Sequence, residues 1–119
     1  MDCGKQARPL NMAVEQIGEV IVDGQRQPIL LNVDESRFEI RVEEHVAFLL
    51  FRQRGTLLSV IHTEVPPALQ RQGLADALAR AAFAYARRQS LKVKIICPFV
   101  TAFVTKHPEF QELIATDDE

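Results

Sequence analysis

Cysteine, glycine and aromatic residues are scarce in this chain, and each shortage excludes a class of protein. Its 119 residues include two cysteines, five glycines, one tyrosine and no tryptophan. Cys3 and Cys97 lie near opposite ends, which excludes a disulfide scaffold and offers no zinc-ligand spacing. Five glycines and six prolines are too few for a collagen-like or low-complexity chain. We therefore expect a protein of a reducing compartment that binds no metal.

Long hydrophobic runs and an excess of either charge are also missing. An apolar run such as Val46 to Phe51 is far shorter than the roughly 20 residues that span a membrane. Met1 to Leu10 holds charged residues and no apolar stretch of signal-peptide length. Fourteen Lys and Arg against sixteen Asp and Glu give a net charge of -2, which disfavours nucleic acid and anionic lipid as partners. We expect a soluble, cytoplasmic protein that binds neither.

The composition that remains is that of an ordinary globular domain. Hydrophobic residues make up 47% of the chain and charged residues 25%. Its length falls within the range of about 100–150 residues in which single domains are most common. A chain of this length buries roughly two thirds of its unfolded surface, so it needs no metal or disulfide to fold.

Alternation of apolar and polar residues predicts a series of β-strands. Phe38, Ile40 and Val42 alternate with charged residues, which is the period of a half-buried strand. Asp23-Gly24 indicates a hairpin, with a loop longer than two residues. Pro66-Pro67 must end the last strand, because proline cannot donate a ladder hydrogen bond. The predicted strands cover residues 17–22, 28–33, 37–42, 46–52 and 56–65, and the last three form an antiparallel meander.

The period then changes to that of a helix. Leu74, Leu78, Ala81 and Tyr85 recur three or four residues apart, which predicts a helix over residues 73–89. A strand follows over residues 91–97, and Pro98 can start a short helix that places Phe99 and Phe103 in the core. The expected fold is α/β (α+β in some schemes), with a mixed, mainly antiparallel sheet and a central helix.

The junction between the meander and the central helix is the strongest functional signal. Gln70 to Ala75 connects a strand end to a helix start, with Gly73 where the helix begins. Backbone N–H groups in such a loop, together with the helix dipole, can hold a phosphate or pyrophosphate. The alternative is that Gly73 merely permits the strand-to-helix turn.

Five sequence blocks follow one another at regular places along the chain: His62 to Pro66, Gln70 to Ala75, Ala86-Arg87, Cys97 to Val100 and Lys106 to Phe110. Together they resemble the GNAT superfamily of acetyltransferases, and in particular a subgroup of small single-domain members. The loop Gln70 to Ala75 matches the Gln/Arg-x-x-Gly-x-Gly/Ala signature that binds the pyrophosphate of acetyl-CoA in that family. The resemblance covers about Ser36 to Leu113.

The resemblance implies an acetyl-CoA-dependent N-acetyltransferase that acts on an amine. The alternative is a module that binds CoA or acetyl-CoA without turnover. The extent of the resemblance divides the chain into three segments: an N-terminal extension over residues 1–35, where Asp23-Gly24 indicates the hairpin, the acetyltransferase domain over residues 36–113, and an acidic tail over residues 114–119. The acceptor amine, the role of residues 1–35 and the oligomeric state stay open.

The resemblance also assigns a set of residues to the acetyl-CoA site. The loop backbone would hold pyrophosphate, Arg71 would meet phosphate charge, and the parted strand ends would hold pantetheine. The residues implied in binding are Val65, Gln70, Arg71, Gln72, Gly73, Leu74, Ala75, Cys97 and Phe103.

His62 and Glu64 are the candidate bases. They lie two residues apart on one strand, so they project from the same face. Either side chain could accept the proton of an incoming ammonium group. The alternative is that both are ordinary polar residues of a solvated strand end.

Cys97 is the candidate nucleophile or acid. Many GNAT enzymes protonate the departing CoA thiolate with a tyrosine, whereas the one tyrosine here, Tyr85, falls inside the central helix and is expected to pack. Cys97 precedes a helix start and could supply that proton or accept the acyl group. The alternative is a small buried hydrophobic residue. His107 is a further candidate for handling protons, with a surface or capping role as its alternative.

Overall fold

The structure is a computed structural model, and it describes residues 14–115. Predictions for the N-terminal ten residues, for Cys3 and for the acidic residues 116–119 lie outside this range. Among the described residues, no helix has the length and apolar character needed to cross a membrane. The same part of the chain contains no group of three His, Cys, Asp or Glu side chains that could hold a metal ion.

Within residues 14–115, six strands form one sheet whose spatial order follows the order of the chain. The first five are antiparallel neighbours, and the sixth pairs with the fifth in parallel. The strands are β1 (Val14–Val22), β2 (Gln25–Asn32), β3 (Arg37–Val42), β4 (His45–Arg54), β5 (Leu57–Glu64) and β6 (Lys92–Ile95). The predicted mixed, mainly antiparallel sheet is therefore confirmed.

The first hairpin is tighter than the sequence pattern indicated. Val22 pairs with Gln25, which leaves Asp23 and Gly24 as a two-residue turn. Both turn residues have left-handed backbone angles, with φ of 52° and 79°. Two consecutive residues with positive φ give the turn whose twist suits a β-hairpin, so both strands continue up to the turn.

Two α-helices follow the meander at the predicted places. Helix α1 (Leu74–Arg88) begins directly after Gly73, and helix α2 (Pro98–Lys106) begins at the proline. Short 3₁₀ helices over Pro67–Leu69 and Pro108–Leu113 complete the helical elements that the structure describes. Beyond the second of these, Ile114 forms a parallel bridge to Val93 in β6.

The two faces of the sheet have different environments. On the inner face, Phe38 and Ile40 are fully buried, and Tyr85 of α1 packs its ring against Phe38. Helix α2 lies on the same side, because Phe103 stacks on Phe83 of α1. The other face is called the open face here, since both helices pack on the inner side.

A β-bulge at Ile61 interrupts the pairing of β4 with β5. Phe51 pairs with Val60 and Leu50 pairs with His62, so Ile61 has no partner opposite it. The extra residue changes which face each later side chain occupies. His62 consequently shares the open face with Leu50, whereas Thr63 faces inward.

Candidate active site

Strands β5 and β6 part at one end of the sheet and leave a wedge between them. The backbone N–H groups of Ile96 and Cys97 both donate to the carbonyl of Val60, at 2.9 and 3.1 Å. This shared acceptor ends the parallel pairing, which explains why β6 is shorter than predicted. We call the wedge the fork; it is bounded by residues 63–65 on one side and 96–99 on the other.

The loop that follows the fork is braced against β5. The Gln70 side-chain amide donates to the carbonyl of Val65 at 3.0 Å. Arg71 and Gly73 have positive φ angles of 70° and 79°. Such angles turn successive N–H groups towards one side of the chain, the arrangement found in anion-binding backbone concavities.

The first turn of α1 offers backbone donors that have no acceptor. Gly73 caps the helix without a side-chain hydrogen bond, and its carbonyl accepts from Ala77 at 3.0 Å. The N–H groups of Leu74, Ala75 and Asp76 therefore have no backbone partner within the described residues. Their alignment with the helix dipole makes this an anion-binding position, although the exposed Asp76 carboxylate opposes part of that potential.

These features enclose a groove of about 270 Å³. Six of the predicted binding residues line it, namely Val65, Gln70, Arg71, Gly73, Leu74 and Ala75, together with Leu69, Asp76 and Phe99. The structure therefore brings together most of the residues that the loop signature indicated.

Three of the nine predicted binding residues do not line the groove: Cys97, which is described below, and Gln72 and Phe103, which point elsewhere. The Gln72 side chain accepts a hydrogen bond from the Asp23 backbone at 2.7 Å, so it ties the loop to the first hairpin. Phe103 is buried in an aromatic cluster with Phe83 and Phe110, at centroid distances of 6.2 and 5.6 Å. Neither side chain lines the groove.

Phe99 occupies the groove wall instead. Its assignment to the core was wrong, because its side chain is 37% exposed and lies beside the loop. The sequence does contain a signal for this exposure, namely the three- and four-residue spacing of Val100, Phe103 and Val104, which are all buried. These three mark the inward side of α2, and Phe99 falls off it.

His62 and Glu64 form an exposed pair on the open face. His62 Nε2 lies 3.2 Å from Glu64 Oε1, which confirms that the two side chains share a face. More than half of each side chain is accessible to solvent. The Phe48 ring packs edge-on against the His62 ring, with 6.2 Å between the centroids. The pair is therefore positioned and available to solvent.

Cys97 lies on the other side of the fork. Its thiol donates to Thr63 Oγ1 at 3.5 Å, and the residue is only 3% exposed. Glu64 and Cys97 thus border the fork and His62 lies one residue before it, but the thiol is on the inner side and the His62–Glu64 pair on the open side. Thr63 was not singled out from sequence, although it stands between His62 and Glu64 and must face the opposite way.

The remaining candidates lie away from the fork. The Tyr85 hydroxyl donates to Gln53 at 3.0 Å, so the tyrosine packs as predicted. His107 follows the C-terminal end of α2 and lies 3.4 Å from an Arg80 nitrogen. The length of α2 separates it from the fork by roughly 13 Å at 1.5 Å per residue.

A mixed sheet that parts beside a glycine-capped helix, with backbone donors free at that helix start, is the architecture of GNAT-like α+β domains. The chain belongs to the GCN5-related N-acetyl-transferase family, whose model matches residues 37–113. Membership confirms the resemblance carried by the five sequence blocks.

Curated relatives and a solved structure agree with this assignment. Protein NATD1 of Mus musculus is 30% identical over 99 residues, covering 81% of this chain and 84% of that protein. Protein NATD1 of Homo sapiens is 31% identical over 86 residues, covering 68% and 76%. An NMR solution structure of a GCN5-like candidate N-acetyltransferase from Staphylococcus aureus superimposes with a TM-score of 0.57 at 26% identity, covering 68% of this chain and 82% of that one.

Proposed function

We propose that the protein is a cytoplasmic, acetyl-CoA-dependent N-acetyltransferase that acts on an amine. The observation that carries the proposal is that the groove at the start of α1 and the fork in the sheet lie next to each other. A groove lined by unpaired backbone donors opens beside a fork in the sheet. Pyrophosphate in the groove and pantetheine in the fork account for both.

The groove suits a pyrophosphate in shape and in donors. A Cβ atom built on Gly73 has nothing within 4 Å, so the glycine leaves open space where a ligand can approach the backbone. The N–H groups at the start of α1 supply hydrogen bonds, and the Arg71 guanidinium supplies positive charge beside them.

The fork suits the pantetheine arm and the thioester. Ile96 and Phe99 are among the few large apolar side chains that stay exposed in the described residues, and both border the fork. Strand ends that no longer pair with each other also leave backbone polar groups for an amide-containing chain. The thioester would then lie between the open face and the buried Cys97 thiol.

The reaction requires few groups once the thioester is held. The neutral amine attacks the thioester carbonyl carbon, a C–N bond forms and the C–S bond breaks. In our proposal, Glu64 accepts the proton that the ammonium group loses, with His62 as its hydrogen-bonded partner. The nitrogen loses a second proton as the amide forms. Cys97 gives its proton to the departing CoA thiolate, and the nitrogen's second proton, passed through solvent, restores the thiol. Most of the acceleration comes from holding the amine beside the thioester.

A module that binds CoA without turnover is the second candidate function. The observation in its favour is the exposure of the His62–Glu64 pair, which lies on a surface rather than in an enclosed acceptor pocket. Such a module would share the groove and the fork with the enzyme and differ only in the chemistry.

Two measurements separate these functions. Titration calorimetry of the full chain with CoA should show saturable binding, and its absence overturns both candidates. Release of free thiol from acetyl-CoA should then depend on an amine from a panel of small amines and lysine peptides. Binding of CoA without amine-dependent thiol release would establish the non-catalytic module.

A further inference from the structure

The open face beside the fork carries more positive than negative charge, although the whole chain has a net charge of -2. Arg37 and Arg41 of β3, Arg52 of β4 and Lys94 of β6 share this face, because the strand register places each on the side away from the helices. On strands β3 to β6, the carboxylates of this face are Glu39 and Glu64. The cations therefore form a local basic surface, which we call the basic face.

Two of these guanidinium groups are fixed in place by a buried carboxylate. Glu39 is fully buried and bonds with Arg37 and Arg41, while the Asn32 amide donates to it at 3.2 Å. Burial raises the pKa of Glu39, but the hydrogen bonds and charges of the two arginines outweigh it and hold the pKa below its usual value. The side chains of both arginines keep part of their surface exposed to solvent. A fixed guanidinium loses little conformational entropy when it binds an anion.

The basic face runs directly up to the candidate base. The Arg37 guanidinium stacks over the Phe48 ring at 4.9 Å, and that ring packs against His62. Arg37 on β3 and His62 on β5 both pair with Leu50, which lies on the strand between them. Two strand spacings therefore separate them, or about 10 Å. Arg52 lies two residues beyond Leu50, about 7 Å further along the strand.

We propose that the basic face binds an acidic peptide segment that carries the acceptor amine. This inference rests on the proposed acetyltransferase function and names its substrate class. A peptide in extended form advances about 3.4 Å per residue, so acidic side chains two or three positions from a lysine would reach Arg37 or Arg52 when that lysine is at Glu64. Both described helices pack on the other side of the sheet, so among the described residues this surface is not enclosed, which suits an extended chain better than a small molecule that needs enclosure.

Charge also separates a peptide from other anionic partners. A nucleic acid needs a strongly basic surface with stacking aromatic residues. Here Glu39 and Glu64 interrupt the cations, and the Phe48 ring is already covered by Arg37. An acidic peptide carries separated carboxylates and a cationic amine, which matches this alternation.

The test uses the full chain and a fluorescently labelled peptide of about ten residues with one central lysine flanked by Asp and Glu. Its matched probe has Asn and Gln at the acidic positions. Binding is measured by fluorescence anisotropy without CoA at about 0.1 M and about 1 M salt, where the Debye length falls from about 10 Å to about 3 Å. We expect the acidic peptide to bind at the lower salt concentration and the neutral one at least tenfold more weakly, roughly the effect of losing one or two ion pairs.

Matched charge reversals locate the binding surface. Neither Arg52 nor Lys94 forms an ion pair among the described residues, so Arg52→Glu with Lys94→Glu should leave the fold intact and weaken peptide binding by at least about tenfold. The control is Arg88→Glu with Lys106→Glu, which changes the net charge equally at the ends of α1 and α2. It should change binding by less than about twofold. Circular dichroism checks folding, and the corresponding Gln variants replace any Glu variant that unfolds.

Several outcomes would overturn the proposal. Equal weakening by the two double variants would show that only net charge matters. Equal binding of the neutral peptide would show that the face does not recognise the acidic side chains. Tighter binding of anionic vesicles or single-stranded DNA would assign the face to another partner. The CoA titrations stay independent of these results, so loss of the proposed function and loss of the basic face as a peptide site are distinguishable.

Discussion

Gly73→Ala is the substitution that tests the groove most directly. Gly73 has a φ of 79°, where an L-residue is strained, and a Cβ atom there would enter open space. The strain should lower the free energy of unfolding by about 1–2 kcal/mol. A valine would add β-branched strain at the same left-handed angle, so it would obscure the binding effect that alanine isolates.

The same methyl group should interfere with binding. If pyrophosphate lies against the backbone at the start of α1, the alanine Cβ takes up space that the phosphate oxygens need. We expect the affinity for CoA to fall more than about tenfold, which corresponds to about 1.4 kcal/mol. Titration calorimetry measures the affinity, and urea unfolding measures the stability of the same sample.

Gly55→Ala is the matched control. Gly55 lies in the β4–β5 turn with a φ of 56°, and a Cβ atom added there would meet nothing within 4 Å, so the substitution carries similar strain far from the groove. It should lower stability by a similar amount and leave the affinity for CoA unchanged. Unchanged CoA affinity in folded Gly73→Ala would refute the pyrophosphate assignment. An equal loss of CoA affinity in both variants would show that the loss comes from general instability and not from the groove.

Three further predictions concern single side chains. Glu64→Gln should lower amine-dependent thiol release about 100-fold with CoA affinity unchanged; a loss of only a few fold would show that Glu64 is not the base. Cys97→Ala should also keep CoA affinity and lower turnover about 100-fold, whereas a few-fold effect would leave the thiol as packing. Glu39→Gln should destabilise the fold by about 1–3 kcal/mol, since it removes charged hydrogen bonds to two arginines. Because the pKa of Glu39 is lowered by folding, its contribution is complete above the unfolded value of about 4.3 and is lost at lower pH. Urea unfolding should therefore show the wild type and Glu39→Gln converging in stability as the solution is acidified.

Local sequence patterns predicted the helices and strands because each pattern depends only on residues that are close together in the sequence. The three- and four-residue spacing of Leu74, Leu78 and Ala81 marks the buried side of α1. Pro66-Pro67 and Pro98 mark the end of β5 and the start of α2, since proline cannot donate in a ladder and fits a helix start. The loop residues were identifiable because backbone geometry and helix dipoles depend on residues close in sequence.

Features that depend on contacts between residues far apart in the sequence could not be predicted from these patterns. Gln72 belongs to the loop signature, yet its side chain bonds to Asp23, a partner 49 positions away. Phe103 and Phe99 differ only in which side of α2 they occupy, and that side is set by packing against Phe83. The roles of His62, Glu64 and Cys97 stay predictions, because residue type and position limit the chemistry without fixing it.

The bulge at Ile61 shifts the alternation of inward and outward side chains by one residue in the last part of β5. Every residue after it changes face, so one unpaired position decides that His62 and Glu64 look outward while Thr63 meets the Cys97 thiol. In a regular strand from Val60 onward, the assignments would be exchanged and the acidic side chain would point into the core. Relatives that gain or lose one residue here would therefore present a different set of side chains to the thioester, even with every other residue unchanged.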